Sequence, residues 1–352
     1  MSVGNLEKID LFAHVAAIPI PRISHQTIAQ EHLLSRTPED LDTNWNLNDF
    51  FGHVYVINLD DNPNGKDSTQ FSRRLARITA DLDKIGRCVF ERVRATYGAV
   101  ELDRRVWDRI DDNSFHLTNS EELDRQHRGQ AGCFMSHYRV IQDANAKHLQ
   151  AQVELADALA LLDKAVGQDE RKIVQIAIEQ AKAKITEYSS ILILEDDNGF
   201  GFLNKHDEKT PAEVQMTGAG VLFRKVMSEL DDDWDMLYLV SVECGKDGKN
   251  WARAPSPSFS ENLNRLKYGL LTNAIAINSK AYSVILRALS KIDDEKMRLR
   301  PVDHEYAQLQ ASLNVFTPKK PLAYQAAGES SITNFGIEEP WNGTWFAERK
   351  FR

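Results

Sequence analysis

The chain has 352 residues, 42% of them hydrophobic and 27% charged, with 43 Lys and Arg against 52 Asp and Glu. That is enough for two domains, or one large domain with insertions, of ordinary globular composition. The charge of −9 argues against nucleic acid as a partner, because such binding depends on neutralising phosphates.

Cys88, Cys133 and Cys244 are too few and too scattered for a disulfide framework or a tetrahedral zinc site, which fits a reducing compartment. No run reaches the length of a transmembrane segment. The apolar patch at 11–20 follows Glu7 and Asp10, where a secretory signal needs basic residues. The chain therefore reads as cytoplasmic, with export by a route that needs no cleaved signal left open.

Residues 1–50 read as an N-terminal extension draped over the main domain. Residues 53–59 (His-Val-Tyr-Val-Ile-Asn-Leu) are β-branched and aromatic, and a turn-rich run follows, so they form a strand. Ser68 can cap the next helix, in which Phe71, Leu75, Ile78, Leu82 and Ile85 recur at helical spacing before Gly86 stops it. Residues 88–93 form a second strand. Strand, helix, strand is a βαβ unit, which favours an α/β fold with a parallel sheet and helices on both faces.

From 144 to 188 the pattern changes. Leu155, Leu159, Leu162 and Val166 form one apolar stripe, and Ile173, Ala177, Ala181 and Ile185 form another, with Gly167 in the turn between them. This predicts an inserted αα-hairpin, a candidate for self-association. Residues 190–194 are another strand. A capping box at 210–213 opens a helix to Leu230, strands follow at 234–240 and 272–278, and a helix runs from Ser279 to Leu289.

Three carboxylates, Glu195, Asp196 and Asp197, follow directly on the apolar strand at 190–194. In extended backbone Glu195 and Asp197 share a face. Oxygen ligands of this kind suit Mg²⁺ or Mn²⁺, which complete their shells from water and a substrate diphosphate.

Six blocks occur in order between residue 53 and Ile332. His-Val-Tyr-Val-Ile-Asn-Leu-Asp (53–60) resembles the opening strand of glycosyltransferase family 25, the lipopolysaccharide-type and collagen galactosyltransferase family. Gly-Gln-Ala-Gly-Cys-Phe-Met-Ser-His (129–137) is similar to its Gly- and Cys-containing Ser-His segment, and Leu-Glu-Asp-Asp (194–197) to its metal site. The segments at 234–239, 272–274 and 301–304 resemble its later blocks. The chain departs from the family at 61–67, where a longer, less basic turn replaces the short basic one. Neither the first 50 residues nor the hairpin is covered.

The resemblance implies a GT-A type catalytic domain (51–143 and 189–335), in which a Rossmann-like nucleotide half is joined to an acceptor half, with the hairpin at 144–188 inserted and a tail at 336–352. It implies inverting, Mn²⁺- or Mg²⁺-dependent transfer of a hexose, galactose or glucose, from a UDP-sugar to a hydroxyl of a glycan or protein acceptor. Asn58, Leu59, Asp60, Arg74, Gly132, Ser136, His137 and Asp196 would meet the donor. Glu195, Asp197 and His304 would hold the metal, and Asp303, with Glu243 behind it, would take the acceptor proton. Two other readings accommodate the acidic strand end: a metal-dependent phosphohydrolase or nucleotidyltransferase, and a non-catalytic binding protein on a degenerate transferase core.

Overall fold

The computed structural model describes residues 25–61, 69–110, 120–204, 213–243 and 256–327. The patch at 11–20, the Ser68 cap, residues 210–212, Cys244 and the tail at 336–352 lie outside the described residues. The main sheet contains β1 (His53–Asn58), β2 (Glu91–Arg94), β3 (Ser190–Glu195), β4 (Met236–Tyr238), β5 (Leu263–Arg265), β6 (Ala274–Asn278) and β7 (Val315–Pro318), in the order β2-β1-β3-β6-β4-β7-β5. β1 pairs in parallel with both β2 and β3, and β4 with β7, whereas β6 and β5 run the other way. This is a mostly parallel mixed sheet, compatible with a Rossmann-like fold.

The principal helices are α1 (His25–Ser35), α2 (Gln70–Lys84), α3 (Ser120–Leu162), α4 (Gln168–Glu187), α5 (Ala219–Glu229), α6 (Ser279–Leu289) and α7 (Val302–Leu309). Alternation along the pleat divides the core between the two faces. Val54, Val56, Leu192, Leu194 and Ala276 face a layer containing Ile78 and Leu82 of α2, Phe223 and Val226 of α5, and Trp45, Phe50 and Phe51. Tyr55, Ile57, Ile191, Ile193 and Ile275 face Phe134 and Ile141 of α3, Tyr282 and Ile285 of α6, and Tyr306 of α7. Covered on both sides, the strands read as continuous apolar runs rather than alternating ones.

The segment at 25–50 contributes to that core rather than only lying over it. Trp45 is fully buried, stacked 5.3 Å from Phe223 and edge-on 5.5 Å from Phe200.

α3 is one continuous 43-residue helix, about 65 Å long at 1.5 Å per residue. Its first half packs on the sheet and its second half forms the hairpin with α4, so no break separates the block at 129–137 from the hairpin. Leu155, Ala158, Ile178, Ala181 and Ile185 form a separate small core there, with Leu159, Leu162 and Val174 against it. The inward row of α4 is thus Val174, Ile178, Ala181 and Ile185, while Ile173 and Val166 are 68% and 91% exposed.

Two further expectations are corrected. The second strand begins at Glu91 rather than Cys88. Glu213 opens no helix: Glu213–Gln215 is a strand paired with Phe202–Asn204, and α5 starts after Gly218, whose φ of +82° favours glycine. Among the described residues no helix is long and apolar enough to cross a membrane.

Candidate active site

β1 and β3 are adjacent and parallel, so their carboxyl ends emerge side by side. Asn58, the last residue of β1, donates from Nδ2 to Asp196 Oδ2 at 2.8 Å and to the Phe71 carbonyl at 2.9 Å, and it accepts from Arg92 Nε at 2.9 Å. Arg74 on α2 reaches Asp196 Oδ1 at 3.2 Å, and Arg77 donates to the Asp196 carbonyl at 2.8 Å. The apolar row of α2 faces the sheet, which leaves these two arginines one turn apart at the strand ends. Burial pushes the Asp196 carboxyl above its ordinary value, partly offset by Arg74 and Asn58.

Glu195 leaves the opposite face of β3. Its Oε1 accepts from Thr272 Oγ1 at 2.6 Å and lies 3.2 Å from His137 Nε2 and 3.8 Å from Cys133 Sγ. Burial opposes its ionisation, but the bonds from His137, Thr272 and Cys133 outweigh burial and hold the carboxyl below its ordinary value. An ionised Glu195 accepts from His137 Nε2, and Tyr306 Oη lies 3.2 Å from Nδ1 on the other side of the ring.

Asp197 lies in the turn after β3. Its Oδ2 accepts from Gln325 Nε2 at 2.7 Å, while its Oδ1 is buried without a hydrogen-bond partner. Burial, followed by the charges of Glu195 and Asp196, pushes its pKa up to about 7. Asp303, on the first turn of α7, is also raised, by burial first and then by Glu195, against the lowering effect of His304. Residues 58, 195–197 and 303, far apart in the chain, therefore share one electrostatic neighbourhood. The acids are driven apart in pKa, as acid–base sites require.

Other sequence candidates are engaged elsewhere. Asp60 is exposed and clamped by Arg92 Nη2 and Arg94 Nε, both at 2.6 Å, and the Leu59 carbonyl accepts from Arg92 at 3.3 Å. Ser136 accepts from the Thr96 amide at 2.8 Å and donates to the Gly132 carbonyl at 2.7 Å. Gly132 lies within α3, and a Cβ there would meet the Thr96 carbonyl at 2.5 Å, so the close approach it allows is to the protein's own backbone. Glu243 accepts from the Ser256 amide at 2.6 Å. His304 Nδ1 lies 3.5 Å from Tyr268 Oη. Among the described residues, the ligand atoms that gather within 4.8 Å of one another belong to Cys133, His137 and Glu195; Asp197 and His304 are outside that group.

Sequence reasoning passed over Thr272, Tyr306 and Cys133 as site residues, although all three stand in or beside the blocks it used. It also gave no sign of Leu271, whose φ of +82° is an outlier for a bulky residue next to Thr272.

Asp196 has both oxygens engaged by Asn58 and Arg74, so the buried, unpartnered Asp197 Oδ1 is the carboxylate oxygen of this run most open to a hard divalent cation. No protein-family model and no curated protein sequence matches the chain.

Proposed function

We propose that the protein is an inverting, metal-dependent hexosyltransferase of GT-A type that uses a UDP-sugar. The observation that carries this reading is the 2.8 Å bond between Asn58 and Asp196, because it joins the carboxyl end of the first parallel strand to the acidic run. Nucleotides bind outside such strand ends in open α/β sheets. Arg74 and Arg77 stand beside the same acids and supply the cationic contacts a diphosphate needs.

Asp197, with Glu195 or Asp196, would hold Mn²⁺ or Mg²⁺. The cation supplies positive charge against the departing diphosphate. The protein's own residues set the stage around it: Asn58 and Arg74 fix Asp196, and Gln325 fixes one oxygen of Asp197 and leaves the other free. Asp303 is the candidate base for the acceptor hydroxyl, since its raised affinity for protons brings it nearer the working pH. Glu243, already bound to a backbone amide, is the weaker candidate.

The test is a panel of nucleotide-sugars incubated with Mn²⁺ and scored for slow donor hydrolysis. We expect one UDP-hexose to release UDP. Release of inorganic phosphate or pyrophosphate instead would favour the phosphohydrolase or nucleotidyltransferase reading, and no donor turnover or binding would favour the non-catalytic one.

A further inference from the structure

We propose that Cys133, His137 and Glu195 form a second cation site, selective for a zinc-class ion and distinct from the hard-cation site at Asp197. The small number of cysteines argues against an all-cysteine zinc centre, but a mixed set needs only one thiol. Cys133 and His137 are four residues apart on α3, so one helix face presents both side chains. Glu195 is brought to them by the end of β3.

The spacing suits an ion. Sγ and Nε2 lie 3.8 and 3.2 Å from the same Glu195 oxygen. Ligands about 2.0–2.3 Å from a tetrahedral zinc ion stand roughly 3.3–3.6 Å from one another, so small side-chain shifts convert the hydrogen-bonded cluster into a coordination shell. Thiolate and imidazole select Zn²⁺ or Co²⁺ over Mg²⁺ and Mn²⁺.

The outer partners are also in place. A ligating imidazole usually donates its other N–H to a neighbour, and Tyr306 Oη lies 3.2 Å from Nδ1 and can accept as readily as donate. Thr272 fixes the Glu195 carboxylate at 2.6 Å. Three protein ligands leave one coordination position for water or a substrate oxygen. Burial first, and then the charges of Glu195, Asp303 and Asp197, hold the Cys133 thiol well above its ordinary value, so the thiolate forms there only with a cation beside it. Binding displaces the thiol proton to solvent as the sulfur–metal bond forms, and His137 gives up its Nε2 proton as its own bond to the metal forms, so that the remaining ring N–H lies on Nδ1 and donates to Tyr306 Oη.

The test uses Co²⁺ alone as the probe, added to reduced, chelator-treated full-length protein and followed by absorption. The proposal predicts that one equivalent develops a thiolate-to-cobalt charge-transfer band and the visible bands of tetrahedral cobalt, all bleached by Zn²⁺, whereas Co²⁺ taken up by the hard-cation site gives no thiolate band. Cys133→Ser should lose the charge-transfer band and bind Co²⁺ at least about tenfold more weakly. A second reading needs no variant: Zn²⁺ should slow alkylation of Cys133 in the wild-type protein, followed by mass spectrometry. The proposal is overturned by an absent band, by a band unchanged in Cys133→Ser, or by alkylation indifferent to Zn²⁺. No sugar donor takes part, so the outcome is independent of the transferase reading.

Discussion

Asp197→Asn is expected to make the metal-free protein more stable at pH 8 while abolishing the rise in melting temperature that the proposed function predicts for the wild type with a UDP-sugar and Mn²⁺. The wild-type carboxyl titrates near 7, well above its ordinary 3.8, because burial and the neighbouring Glu195 and Asp196 disfavour its charge. The folded state therefore holds this proton more tightly than the unfolded chain does, and its contribution to stability is full below about pH 4. It is lost as pH rises through 7. The loss by pH 8 is on the order of 2–4 kcal/mol. The asparagine has no charge to bury and can keep the bond from Gln325, so its urea-unfolding free energy should stay flat across this range while that of the wild type falls. A parallel decline in both proteins would show that the Asp197 carboxylate does not carry the effect.

Trp45→Ala is expected to cost about 3–5 kcal/mol, the usual range for removing a large buried aromatic side chain. The indole is fully buried, stacks on Phe223 of α5 and meets Phe200 edge-on, and the Trp45 amide donates to the Ile85 carbonyl at 2.6 Å. The Trp45 side chain thus ties the segment before β1 to two elements of the core layer around it, and its backbone amide, which the substitution keeps, to a third. Ile173→Ala, at a position 68% exposed on the hairpin, serves as the control and should change stability by less than about 0.5 kcal/mol. Equal urea midpoints for Trp45→Ala and wild type would mean that the segment contributes nothing to the fold.

Much of the sheet was legible because its strands are short apolar runs with turn residues behind them. Residues 53–58, 190–195 and 274–278 are strands where their β-branched content placed them. The direction of β6 was not legible, since strand composition carries no information about the sense of pairing. The capping pattern at 210–213 misled because a local signal was overridden by pairing of Glu213–Gln215 with Phe202–Asn204. The hairpin was visible in its period, but the inward row of α4 was misplaced by one position at Ile173 and at Ala177, because Val174 and Ile178 fit a helical stripe equally well and only packing against α3 decides between them.

At the site, the meeting of Asn58 with the acids was foreseeable, since both close parallel strands. The partners of Glu195 were not. Thr272 arrives from the turn before β6 and Tyr306 from α7, and no spacing in the sequence relates them to residue 195. The expected grouping of His304 with Glu195 also failed to foresee that His137, one turn beyond Cys133, occupies that place.

The most direct test of the account is calorimetric titration of UDP into the wild-type protein, with Mn²⁺ present and again with the metal chelated. A hard-cation site beside the end of β1 predicts single-site UDP binding with Mn²⁺ and at least about a tenfold loss of affinity without it, equivalent to about 1.4 kcal/mol. Binding of equal strength in both conditions, or no binding in either, would contradict it.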